Sequence, residues 1–220
     1  MSGKLIVLEG LDGSGKATQA ALLEEALRRE GKPVKKVSFP DYASDSSALV
    51  RMYLSGQFGS RPDDVNPWAA SCFYAVDRYA SYKAGWGEFY QKGGTVLADR
   101  YTTSNAIHQC AKLPPEEWDG YLDWLFEFEY QKLGIPRPDL VLYLDMPIEL
   151  TEQLMRRREQ QTNTQADIHE QDLSYLRQCR QSAKQAAQYY GWTVIQCAEQ
   201  GKLRSVGGER VVLGKSGGVG

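Results

Sequence analysis

Glycines at 10, 13 and 15 and the lysine at 16 are spaced to hold an anion. Gly10 is followed by four residues, then Gly15 and Lys16. Glycine lets consecutive backbone N–H groups turn inward around a phosphate. A helix opening behind them points its positive dipole end at the same place. Lys16 adds a mobile cation. The flanks suit that chemistry: an apolar run, Leu5–Leu8, precedes the glycines and a helix-forming run, Ala17–Glu30, follows. Strand, glycine loop, helix is the setting that a phosphate-binding loop requires. The segment Gly10, Leu11, Asp12, Gly13, Ser14, Gly15, Lys16, Ala17 and Thr18 is therefore the expected seat of nucleotide phosphates.

One position departs from that pattern. The residue after the lysine is normally Ser or Thr, whose hydroxyl ligates Mg²⁺. Here it is Ala17, and Thr18 lies one step later, about 100° round the helix. Either other groups hold the metal, or the site binds nucleotide and catalyses poorly. Mg²⁺ keeps several waters and needs few protein ligands, which argues for the former.

A second chemistry-bearing pair is Tyr74 and Arg78, four residues apart and so on one helix face. A ring beside a guanidinium can stack on a planar base and bond its edge. Packing by Tyr74 and a solvated Arg78 is the plainer alternative. Arg156, Arg157 and Arg158 close another helical run, and a polar stretch, Glu159–Ala166, follows as a candidate flap. Asp167 as a cap, with the acidic Glu170 three residues on, then carries a helix-start signature that opens a long helix to about Tyr190. The two histidines, His108 and His169, have no sequence partner for a triad or a zinc site.

These residues need a scaffold. Five short apolar runs read as strands: Leu5–Leu8, Val34–Phe39, Thr95–Ala98, Leu140–Leu144 and Thr193–Cys197. Helical patterns separate them, which predicts an α/β fold with a parallel sheet covered on both faces. Ligands of such sheets sit at the carboxyl ends of the strands. The residues there are Gly10–Lys16, Pro40-Asp41-Tyr42, Asp99-Arg100-Tyr101 and Asp145, which predicts one shared site. Asn66-Pro67-Trp68 marks a helix start, with the helix running to about Gln91. Pro114–Lys132 reads as an aromatic amphipathic helix given over to packing.

The 220 residues suffice for one sizeable domain, and a net charge of −2 advertises no nucleic-acid surface. Four scattered cysteines fit a reducing compartment such as the cytoplasm. No apolar stretch approaches a membrane span or forms a leader. Residues 1–206 read as one domain and 207–220 as a glycine-rich tail.

The motifs, in order, resemble those of the thymidylate kinases. EGLDGSGKATQ (9–19), SFPDY (38–42), YAVDR (74–78) and DRYTTSN (99–105) are similar to that family's phosphate loop, FP segment, thymine-reading helix and DRY segment. The resemblance implies a P-loop kinase fold, a three-layer sandwich around a five-stranded parallel sheet, with a helical lid at about 156–170. It implies transfer of the ATP γ-phosphoryl group to dTMP, with Mg²⁺, in a homodimer for which the aromatic helix offers a face. Carried over by position, the loop residues and Lys16 hold ATP, and Asp12 reaches the acceptor's 3′-hydroxyl and phosphate region. Phe39 and Tyr42 line the acceptor, Tyr74 stacks on thymine and Arg78 bonds its 4-oxo oxygen. Asp99 holds the metal or its water, Arg100 the acceptor phosphate, and Ser104 and Asn105 the base edge. Gly13 stands where some members carry a loop arginine, so the catalytic cation is expected from the lid, as Arg156 or Arg157, either of which is also placed to stack on adenine. Another nucleoside monophosphate or deoxynucleoside kinase, or a nucleotide-binding protein with weakened catalysis, is the competing reading.

Overall fold

The computed structural model describes residues 2–162, 169, 173–199 and 202–204, with the side chains of 156–162 left out. Its centre is a parallel sheet in the order β2-β3-β1-β4-β5. The strands are β1 (Lys4–Gly10), β2 (Val34–Ser38), β3 (Thr95–Asp99), β4 (Leu140–Asp145) and β5 (Thr193–Gln196). All five match the expected apolar runs to within two residues at either end.

Alternate residues of β1 feed two cores. Leu5 and Val7 pack with Val96, Ala98 and Val141 on one face, beside Phe39, Trp86 and Tyr101. Leu8 packs with Leu97 and Leu142 on the other, beneath Ala20 and Leu23 of α1 (Lys16–Arg29). This period-2 alternation, with both faces apolar, is what a doubly covered sheet demands. Helix α1 follows β1 onto that second face. The helix after β3, α5 (Thr102–His108), packs instead against α8 (Leu173–Tyr190). Chains leaving β1 and β3 thus diverge, and a crevice opens between the ends of these neighbouring strands.

Two further elements line this crevice or support it. Asn66 caps α3 (Pro67–Ser81), its Oδ1 accepting from Ala69 N at 2.8 Å. The helix continues through a widened turn, Tyr82–Trp86, into α4 (Gly87–Gln91), so the expected span to Gln91 holds. The aromatic run forms α6 (Trp118–Phe126) and a second widened turn, Glu127–Lys132. Its Trp118, Tyr121, Leu122 and Leu125 are buried. Helix α2 (Ala48–Leu54) and α5 were not anticipated; both are only seven residues long.

Helix α7 (Ile148–Thr162) runs four residues past Arg158. The first part of the expected polar loop is therefore helical, in keeping with a run of Glu and Gln that contains no Gly or Pro. Asp167, Glu170 and the tail from 207 lie outside the described residues, as do the side chains of Arg156, Arg157 and Arg158.

Candidate active site

A cleft of about 590 Å³ opens at the carboxyl ends of β1, β2 and β3. Asp12, Gly13, Gly15, Lys16, Ala17 and Thr18 line one part, from the loop after β1. Phe39, Tyr42, Tyr74, Arg78, Asn105 and Tyr101 line another. Asp99, Arg100 and Ser104 also line it. One cavity thus unites residues drawn from four separate sequence motifs.

The loop owes its course to backbone conformations that side chains resist. Gly15 adopts φ 85° immediately before α1, and Gly13 adopts φ 76°. At Gly13 helix α7 comes close: an added Cβ would meet the Thr151 carbonyl oxygen at 3.0 Å and Met155 Cγ at 3.3 Å. Lys16 is buried, and its Nζ donates to the carbonyl oxygens of Gly10 and Leu11, each at 2.8 Å. Burial, then the neighbouring Arg100, lower its pKa to about 8, against the pull of Asp12 and Glu9.

Arg100 is the junction. It is a non-glycine residue at φ 67°, which aims its side chain across the cleft floor. Its guanidinium donates to Asp12 Oδ1 at 2.8 Å and to Ser104 Oγ at 3.2 Å, and lies 3.3 Å from His108 Nε2. Glu9 Oε1 is 3.5 Å away. Burial raises the Asp12 carboxyl's pKa, but Arg100 and Lys16 together more than offset this and hold it well below the ordinary carboxylate range. Burial likewise opposes the charge on Arg100, and Asp12, Glu9 and Asp99 more than restore it.

Glu9 supports the site, although the sequence showed it only as the first residue of the 9–19 motif, with no role assigned. It is fully buried and accepts from Gly10 N (2.9 Å), Thr103 Oγ1 (2.7 Å) and Ser104 Oγ (2.8 Å). A charged residue ending a strand otherwise buried on both faces was the available signal. The Ser104 hydroxyl, expected at the base edge, is thereby engaged by Glu9 and Arg100.

Tyr74 reaches the cleft with its ring perpendicular to that of Tyr53, centroids 6.5 Å apart. Phe39 is buried against Tyr101, whereas Tyr42 is exposed. Asp77, one residue before Arg78, holds the loop after β2: its carboxylate accepts from Asp41 N (2.8 Å) and Ser46 Oγ (2.6 Å).

Arg78 is not a solvated arginine; it is 1 % exposed. Its Nε donates to Glu129 Oε2 at 2.8 Å and its NH2 to Glu129 Oε1 at 2.5 Å. Burial opposes its charge, and Glu129 more than restores it. This corrects the assignment of 114–132 to packing alone, because Glu129 lies in that stretch. A side chain aligned with the buried stripe, but charged, marked it.

One other expectation is corrected. Asp145 ends β4 but does not line the cleft; Arg180 Nε of α8 bonds it at 2.7 Å, and Gln196 at 3.2 Å. The histidines, to which the sequence assigned no triad or zinc site, stack on each other with centroids 5.4 Å apart, and both line the cleft. His169 Nε2 lies 2.8 Å from Tyr53 OH, which also accepts from Lys112 Nζ at 2.8 Å. Burial and, for His169, the nearby Lys112 disfavour the imidazolium; the pKa of His169 falls to about 3 and that of His108 well below normal.

Among the described residues no group of three or more His, Cys, Asp or Glu side chains could hold a metal ion. Asp99 is a carboxylate lining the cleft near the loop, where Ala17 offers no side-chain oxygen and Asp12 is committed to Arg100. A single carboxylate suits Mg²⁺, which takes its other ligands from phosphate and water.

A family model described as thymidylate kinase matches residues 8–206. The thymidylate kinase of Mycobacterium tuberculosis strain H37Rv is 31 % identical over 196 residues, covering 87 % of this chain and 90 % of that protein. The human thymidylate kinase is 32 % identical over 146 residues, 66 % of this chain and 62 % of its own. The solved thymidylate kinase of Candida albicans has the same fold, with TM-score 0.72 over 98 % of this chain and 91 % of that one, at 22 % identity.

Proposed function

Since this chain belongs to the thymidylate kinase family and is an ATP-dependent dTMP kinase, we propose that the cleft described above is where the γ-phosphoryl group passes to dTMP, giving dTDP and ADP. The observation that carries this assignment is the single cavity lined by the phosphate loop, by Tyr74 and Arg78, and by Arg100. Phosphoryl transfer requires two anions in line, neutralised and shielded from water.

On this reading the loop amides and Lys16 hold the donor phosphates. Lys16 exchanges the carbonyls of Gly10 and Leu11 for phosphate oxygens as ATP arrives. Arg100 holds the acceptor phosphate, and Asp12 and Glu9 fix the direction of its guanidinium. Tyr74 stacks on the pyrimidine, with Arg78 and Asn105 at its edge and Phe39 and Tyr42 along the nucleotide. The acceptor is already an anion, so no strong general base is needed, which agrees with histidines kept neutral by burial. Asp99 holds Mg²⁺ directly or through water; when bound, the ion spreads charge off the transferring group. Arg156 or Arg157 supplies the lid cation.

We read residues 1–206 as one kinase domain with a lid at about 156–170, and 207–220 as a tail. A homodimer of the cytoplasm is the assembly we propose. Trp68, Val76 and Tyr79 are exposed along one side of α3, and the four cysteines are free. No described helix is long and apolar enough to cross a membrane. Light scattering on the eluting protein at one subunit's mass would refute the dimer.

The decisive experiment is a coupled ADP-release assay with MgATP and dTMP, dUMP, dCMP, dGMP or thymidine in turn. Turnover with dTMP, and weaker turnover with dUMP, is the expected result. A preference for thymidine, or ATP binding without turnover, would overturn the assignment.

A further inference from the structure

Glu129 lies beneath the cleft and does not line it. Its two oxygens receive three hydrogen bonds: Arg78 Nε at 2.8 Å, Arg78 NH2 at 2.5 Å and Asn105 Nδ2 at 3.1 Å. A carboxylate can only accept. The other partner of Asn105 Nδ2 is the Ser71 carbonyl oxygen at 3.3 Å, which also only accepts. The amide of Asn105 therefore has one permitted orientation. Turned over, it would set Oδ1 against two acceptors in a buried site, where unpaired polar atoms are costly. Its nitrogen is committed inward, and Oδ1 is the polar atom left for a ligand.

Arg78 is constrained in the complementary sense. Nε and one N–H of NH2 go to Glu129, and NH1 donates to the Tyr101 carbonyl oxygen at 3.3 Å. A guanidinium has five N–H donors, so its remaining N–H groups still offer donation. Both residues line the cleft. The buried edge thus presents a donor from Arg78 beside an acceptor from Asn105, and one carboxylate enforces both.

We propose that Glu129 is the positioning residue that sets the polarity of the base-reading edge. The edge then takes a pyrimidine that presents a carbonyl beside a ring N–H, and rejects one that presents an amino group beside a bare ring nitrogen. This rests on the reading above that Arg78 and Asn105 face the base. A site built to hydrogen-bond one pattern discriminates strongly because the wrong base leaves its buried groups unpaired.

The test compares dTMP with dCMP as acceptor in the wild type, Glu129→Gln and Asn105→Ala. Glutamine replaces one carboxylate oxygen with NH₂. Whichever way it turns, an N–H faces an N–H of Arg78, and one orientation also lets the Asn105 amide invert. Glu129→Gln is expected to lower kcat/KM for dTMP by about 10-fold or more, chiefly through KM for dTMP, with KM for ATP unchanged. The dTMP-over-dCMP preference should contract by about 10-fold or more. A simple loss of folded enzyme would lower both acceptors equally and leave KM unmoved. If Asn105→Ala contracts the preference and Glu129→Gln does not, the polarity role of Glu129 is overturned while the base assignment stands. If neither variant moves the preference, the base is read elsewhere and both ideas fall. Should Glu129→Gln not fold, a crystal structure of the wild type with dTMP decides. Glu129 should remain within hydrogen-bond distance of Arg78 Nε and Asn105 Nδ2. An Asn105 amide donating to the base, or Arg78 swung away from Glu129, refutes the proposal.

Discussion

Replacing Arg100 tests the electrostatic account most directly, because the structure separates its part in activity from its part in folding. The side chain meets Asp12, Ser104, His108 and Glu9. Truncation to alanine leaves Glu9 with three other donors, Gly10 N, Thr103 and Ser104. It leaves Asp12 with 25 % side-chain exposure, so that carboxylate can hydrate. The folding cost should therefore be modest, about 1–3 kcal/mol. Turnover should fall by about 10²–10³, the usual loss when one preorganised donor to a transferring group is removed. The backbone supplies an internal control. At φ 67° any side chain is strained, so Arg100→Gly should be more stable than Arg100→Ala by about 1 kcal/mol, with equally poor turnover. In a chain of this length that is a rise of about 2–4 °C in melting temperature. ADP release under saturating MgATP, followed against dTMP, measures the activity, and scanning calorimetry the stability. An alanine variant within tenfold of wild-type turnover would refute the reasoning.

Asp99→Asn should raise the Mg²⁺ concentration for half-maximal rate by about 10-fold or more, read by titrating MgCl₂ at fixed ATP, because it neutralises the cleft's available metal carboxylate. Acid stability should depend on His169. Its pKa falls from 6.5 to about 3 on folding, so its contribution is intact above pH 6.5 and is lost as pH falls towards 3. Between pH 7 and pH 5 this amounts to about 2 kcal/mol, and His169→Gln should flatten that part of the melting-temperature curve by about 4–8 °C.

The sheet was readable because its inner strands, β1, β3 and β4, are short apolar runs ended by a polar residue and buried on both faces. The loop was readable because its glycines serve backbone geometry that no other residue serves cheaply. Tyr74 and Arg78 could be paired by helical spacing. What held them could not be found that way. Glu129 is 51 positions from Arg78, and Glu9 is 95 from Ser104; contacts at such separations leave no periodic trace. The histidine pair was hidden for the same reason, its members being 61 positions apart. Helices α2 and α5 were missed because seven residues give fewer than two turns of pattern. Asp145 misled because a strand-end carboxylate looks alike whether it meets a ligand or, as here, a neighbouring helix.

The near-contact between Gly13 and Thr151 has a consequence for how such enzymes can change. An arginine grafted at position 13 would set its first carbon 3.0 Å from the Thr151 carbonyl oxygen, on a backbone whose φ of 76° side chains rarely adopt. Such a substitution therefore asks the helix carrying Thr151 to give by a few tenths of an ångström. The phosphate loop and the helix behind it are thus coupled at this point, and a larger side chain in the one requires a small adjustment of the other.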